Sequence, residues 1–193
     1  MSSNPFLSKF NTPFNTIPFD KITVDHYLPA FEEGIKQGLS EIDSIVTNKE
    51  TPTFANTIEA LEKVGPLLEI VGSTFSNLNL AETSKEMQAL AKVISPKLSD
   101  YSNDIILNDA LFKRVEAVYA IKNTLTLTPE QSTLLDKTYK SFVRNGSKLN
   151  AEQKEKLRTI DKEKSQCSLT YSENVLAESN AFELVITNAS DLA

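Results

Sequence analysis

The sequence has 193 residues, 40 % of them hydrophobic and 24 % charged, with a net charge of −6. This length can bury a real core, as one large domain or two small ones, and the composition is not that of a disordered chain. The acidic balance argues against a nucleic-acid binder, which needs a basic stripe to neutralise phosphates, and the single cysteine, Cys167, excludes an internal disulfide and a cysteine-rich zinc site.

The first 22 residues read as an extended arm. Pro5, Pro13 and Pro18 forbid a continuous helix. Phe6, Phe10, Phe14 and Phe19 are costly to leave in water, so the arm is expected to lie across helices with these rings mostly buried. No stretch reaches the length of a transmembrane span, and "MSSNPFLSKF" lacks the apolar core of a signal peptide. The expectation is a soluble, cytoplasmic protein without a membrane partner, a removed leader aside.

From residue 23 to 180 apolar residues recur at helical spacing, which predicts an all-α domain of long antiparallel helices in a bundle-like arrangement. Asp25 is the expected N-cap of a first helix carrying Tyr27, Phe31, Ile35, Leu39, Ile42 and Val46. Pro29 is tolerable there because the first helical amides have no internal partner. Gly34 and Gly38 present a small strip where another helix can come close. A second helix is capped by Thr53, carries Ile58, Leu61, Leu68, Phe75 and Leu78, and should kink at Pro66. A third starts at a capping box of Thr83 and Glu86, runs through Met87, Leu90, Ile94, Leu98, Tyr101 and Ile105, and should bend at Pro96.

Asn108 caps a shorter helix through Phe112, Val115 and Tyr119. "TPEQ" combines an N-cap Thr128, Pro129 at the first helical position and Gln131 at the third. Its helix carries Leu135, Tyr139 and Phe142 and should stop at Gly146. Asn150 with Gln153 opens a long last helix through Leu157, Ile160, Leu169 and Val175, in which Cys167 should pack as a small apolar group. "AFELVIT" is the one β-like run, and residues 181–193 read as the start of a connection to a further part.

The residues hold little chemistry. No two of the five glycines have phosphate-loop spacing, and a single histidine, His26, cannot form a two-histidine zinc helix. His26 reads as a helix-start histidine. Glu32 and Glu33 point about 100° apart on a helix and read as solvated charges. "AEQKEKLRTIDKEK" mixes both signs at i,i+4 spacing, as an exposed helix face does. No catalytic, cofactor-binding or metal-ligating residue is assigned.

Taken together, "NPF…PFDKI…HYLPAFEEGI", "PTFANTIEALEKVG", "SPKLSDYSNDIILNDALFKRV", "FVRNGSKL" and "YSENVL" resemble the N-terminal part of the M3 family of zinc metallopeptidases. The resemblance is greatest to its bacterial peptidyl-dipeptidase (dipeptidyl carboxypeptidase) branch, with oligopeptidase A as near relative. It implies a mostly helical, clam-shaped parent of several hundred residues. In such a parent an HExxH helix and a further glutamate hold zinc in the second half, and the HExxH glutamate acts as general base. None of that motif lies in this sequence. The resemblance therefore implies a non-catalytic wall of a channel that admits short, unfolded peptides, with the missing catalytic half as partner and zinc only in the parent. A self-standing helical binding or scaffold domain is the alternative. Cut from its parent, the chain is expected to self-associate or to leave its last ten or so residues irregular.

Overall fold

The computed structural model describes residues 4–188 and residue 190. It is all-α: among the described residues there is no strand. Among the described residues seven α-helices follow one another: α1 (Val24–Val46), α2 (Ala60–Glu62), α3 (Pro66–Ala81), α4 (Lys85–Ile106), α5 (Asp109–Ala120), α6 (Pro129–Arg144) and α7 (Ala151–Ala181). A π-helical turn, Phe54–Glu59, leads into α2, and short 3-10 turns punctuate the arm.

Local chemistry starts these helices. Thr53 accepts from the Asn56 amide at 3.1 Å, Asn108 from Leu111 at 3.0 Å, and Thr128 and Asn150 each close a capping box with the glutamine three residues on. Two caps differ from the sequence reading. Thr23, not Asp25, precedes α1, because Thr23 has the extended backbone a cap requires (φ −119, ψ 165). The Thr23 N–H donates to His26 Nδ1 at 3.0 Å. Ser84, not Thr83, caps α4, its hydroxyl accepting from the Met87 amide at 3.2 Å. At the other end of α6 the chain closes as a Schellman turn: Ser147 N–H reaches Phe142 O at 3.0 Å and Gly146 takes φ +98.

The second helix expected from the sequence is broken, not kinked. Gly65 adopts φ +76, a conformation open to glycine, and Pro66 then begins α3 afresh. The Gly65 N–H is held by Glu41 of α1 at 2.8 Å, so the break is also tied to its neighbour.

Two buried clusters share α1. One gathers Phe6, Tyr27, Phe31, Val71, Phe75, Met87 and Ile94, with Phe75 edge-on to Tyr27 and Phe31 at 5.2 and 5.7 Å. Burial pushes the Tyr27 phenol pKa up. The other gathers Ile42, Ile45, Ile58, Leu111, Phe112, Val115, Val118, Leu135 and Phe142. Gly34 and Gly38 lie between them, where the expected close approach is found. A Cβ on Gly34 would meet the Leu68 backbone at 3.1 Å, and one on Gly38 would meet the hydroxyl of Tyr101.

The arm docks only in part. Phe6 is buried and Phe10 packs on the first cluster, while Asn4 ties the arm to the His26 carbonyl at 2.8 Å. Phe14 and Phe19 do not follow. The turn Pro13–Asn15 puts Phe14 at φ 58 and Asn15 at φ 54, and the Phe14 ring is 99 % exposed. Phe19 is more than half exposed.

The last helix also departs from its expected stripe. Ile160, Val175 and Cys167 are exposed, and Leu157 and Leu169 alone among its expected apolar positions are half-buried. The β-like run does not pair: Phe182, Glu183, Leu184, Val185 and Ile186 are irregular and exposed. The remainder of that expected connection, at 189 and 191–193, lies outside the described residues.

Candidate functional site

The side chains weighed for chemistry serve the helices instead. His26 holds the start of α1, through Nδ1 and through the carbonyl that takes Asn4. Glu32 crosses to Lys97 of α4 at 3.0 Å. Glu33 bonds to Gln37 and lies 3.4 Å from Lys36, and these partners hold its carboxyl below the ordinary carboxylate range, Gln37 foremost. The three are not gathered into a site. Among the described residues no group of three or more His, Cys, Asp or Glu could hold a metal ion, so the zinc that the resemblance implies finds no fitting ligand set here.

The run read as a plain exposed face has a second role. Lys154, buried, donates to the Leu107 carbonyl at 3.0 Å and pairs with Asp109. Arg158 meets Asp104 at 2.7 Å and Lys162 meets Asp100 at 3.3 Å. Further along, Glu173 meets Lys92 at 2.8 Å. Rising numbers on α7 pair with falling numbers on α4, so the two run antiparallel, joined by a ladder of charges. The sequence shows the i,i+4 charges, but their partners lie some 50 residues away and only the fold reveals them.

Beside this ladder lies a groove of about 910 Å³, enclosed by α3, α4, α6 and α7. Phe31, Phe75, Ile94 and Leu98 give it an apolar floor. Serines of α4 (Ser95, Ser99, Ser102) and of α7 (Ser165, Ser168, Ser172) line it at spacings of three or four residues, which keeps each row on one helix face. Arg144 at the end of α6 and Asp161 and Lys164 of α7 supply its charges. Asn103 also lines it and is 6 % exposed. This groove is not legible in the sequence. Its signal, serines at helical spacing on two helices, becomes meaningful only once those helices are known to be neighbours.

No family model matches the chain. Curated proteins do match. Over its whole length the chain is 39 % identical to a dipeptidyl carboxypeptidase of Salmonella typhimurium, and over 98 % of its length it is 37 % identical to that of Escherichia coli. It is 26 % identical to oligopeptidase A of Escherichia coli over 99 % of the chain. The chain spans 28 % of the length of each of these three relatives. The similarity is thus to one part of longer dipeptidyl carboxypeptidases and oligopeptidases, and the chain resembles their N-terminal region. No helix among the described residues is long and apolar enough to cross a membrane.

Proposed function

We propose that this chain is the non-catalytic N-terminal part of a cytoplasmic, zinc-dependent metallopeptidase that releases C-terminal dipeptides from short peptides, and that it forms one wall of the substrate channel. The observation that carries the reading is end-to-end similarity at 39 % identity to a dipeptidyl carboxypeptidase that is more than three times as long. The groove supports the wall assignment, because a channel surface needs concavity and small side chains rather than a reactive centre of its own. In this reading chemistry and zinc belong to the missing part, and the exposed stretch from Phe182 to Ile186 leads toward it.

The test is the product of the complete gene. It should release dipeptides from the carboxyl end of a short blocked peptide, leave a folded protein intact, and lose activity on adding a chelator. A complete product of this chain's own length, without peptidase activity, would overturn the reading in favour of a self-standing scaffold domain.

A further inference from the structure

We infer that Tyr119 and Tyr139 form an oxidation site, at which a one-electron oxidant joins them through an intrachain dityrosine bond that bolts α5 to α6. The inference is independent of the peptidase reading and stands or falls without it.

The two rings are stacked, with centroids 3.8 Å apart and planes that differ by 7°. Both side chains are half-buried, so they are packed together yet open to an oxidant at the surface. They end a column of rings: Tyr139 stacks on Phe112 at 6.0 Å, and Phe112 on Phe142 at 6.0 Å, both of them buried. Phenylalanine has no phenolic hydroxyl and resists the oxidation that tyrosine undergoes. The column therefore backs the pair without sharing its chemistry.

Each hydroxyl is pinned as well. Lys122 Nζ donates to the Tyr119 hydroxyl at 3.1 Å and to Asp136 at 3.0 Å. Lys148 Nζ donates to the Tyr139 hydroxyl at 3.2 Å and lies 3.3 Å from Glu116. The lysine of each tyrosine thus reaches a carboxylate of the opposite helix. Rings held at both ends stay in register, and groups held together react at effective concentrations far above those of separate molecules.

The rest of the chain offers little competition. It has five tyrosines and no tryptophan. Tyr27 is buried between Phe6 and Phe75, and Tyr101 lies against Gly38 and Gly65. Tyr171 is exposed on α7 and is the one placed to couple between molecules.

In the coupling each phenol gives up one electron and its phenolic proton. The two phenoxyl radicals join by a carbon–carbon bond between ring carbons ortho to the hydroxyls, and the ortho hydrogens then move to the oxygens and restore both phenols. The pair loses two electrons and two protons in all. One hydrogen peroxide, acting through a haem peroxidase, takes them up and becomes two waters.

The experiment treats the purified chain, at low concentration, with a haem peroxidase and hydrogen peroxide. Cys167 is exposed and meets the same oxidant, so products are separated under reducing conditions. The monomer band should gain dityrosine fluorescence and become lighter by two hydrogen atoms, and its digest should hold one linked peptide pair carrying Tyr119 and Tyr139. Tyr119→Phe and Tyr139→Phe each keep the ring and remove one phenol, and each should return monomer fluorescence to background. If either variant fails to fold, peptide mapping of the unsubstituted chain carries the test alone. A monomer without dityrosine, covalent dimers through Tyr171 as the main product, or a link that maps to other tyrosines or survives either substitution overturns the inference.

Discussion

Helix α4 is held differently on its two sides. Toward α1 and α3 it buries Met87, Ala91 and Ile94 among aromatic rings. Toward α7 it presents Lys92, Asp100 and Asp104, and each meets an opposite charge. Apolar burial is non-directional and is not weakened by ionic screening, whereas partly exposed ion pairs contribute little and are screened. The difference teaches that α7 takes its register largely from charge, with Leu169 packing on the first core, while the rest of the domain is held by its cores. A helix positioned this way can border an open groove, because it need not collapse onto the floor.

The largest expected effect breaks the apolar side. Phe31→Ala and Leu111→Ala, one in each core, should each cost about 2–5 kcal/mol in denaturant unfolding. Phe6→Ala should fall in a similar range, whereas Phe14→Ala, at a fully exposed ring, should change stability by less than about 0.5 kcal/mol. Equal effects from Phe6 and Phe14 would contradict the partial docking of the arm.

Gly38→Ala comes next. The added methyl would collide with the Tyr101 hydroxyl, and displacing that ring should cost about 1–3 kcal/mol. By comparison, Arg158→Ala and Lys162→Ala should each cost under about 1 kcal/mol, and both effects should shrink in about 1 M salt. Hydrogen exchange sharpens the contrast: amides of α7 should exchange faster as salt rises, while those of α1 keep their protection. Salt-independent exchange in α7 would mean that the ladder does not hold it.

The smallest effect is one of pH. The Asp136 carboxyl is held below the usual carboxylate range, first by its hydrogen bond from Lys122, and the Lys122 ammonium is raised, first by its bond to the Tyr119 hydroxyl. A lowered carboxylate contributes stability that is present above its unfolded pKa, about 3.9, and fades as pH falls through the folded value. A raised lysine contributes below about 10.4 and fades as pH rises through the folded value. Asp136→Asn should therefore narrow the stability difference between pH 7 and pH 3, measured by thermal melts across that range.

Helix starts were legible where the whole capping interaction lies within four residues, as at Thr53, Asn108, Thr128 and Asn150. They were misread where two cap-forming residues compete nearby. Thr23 against Asp25, and Ser84 against Thr83, are decided by which backbone is extended, and composition does not report that. The break at Gly65 is hidden because Pro66 alone implies only a kink, whereas its pairing with a left-handed glycine makes it a restart. Exposure of Phe14, Phe19, Ile160 and Val175 was unreadable for a different reason. Apolar periodicity says which side chains seek cover, not whether the fold provides it. The groove and Asn103 depend on four helices meeting, and no local pattern encodes that.

The proposed function divides the labour between this chain and the rest of a peptidase. The direct test measures bound zinc after dialysis, and dipeptide release from a blocked peptide, for residues 1–193 and for the complete gene product side by side. The account predicts stoichiometric zinc and chelator-sensitive release in the complete product, and neither in the chain alone. Zinc retained by the chain together with release that a chelator abolishes, contaminating peptidase excluded, would contradict it.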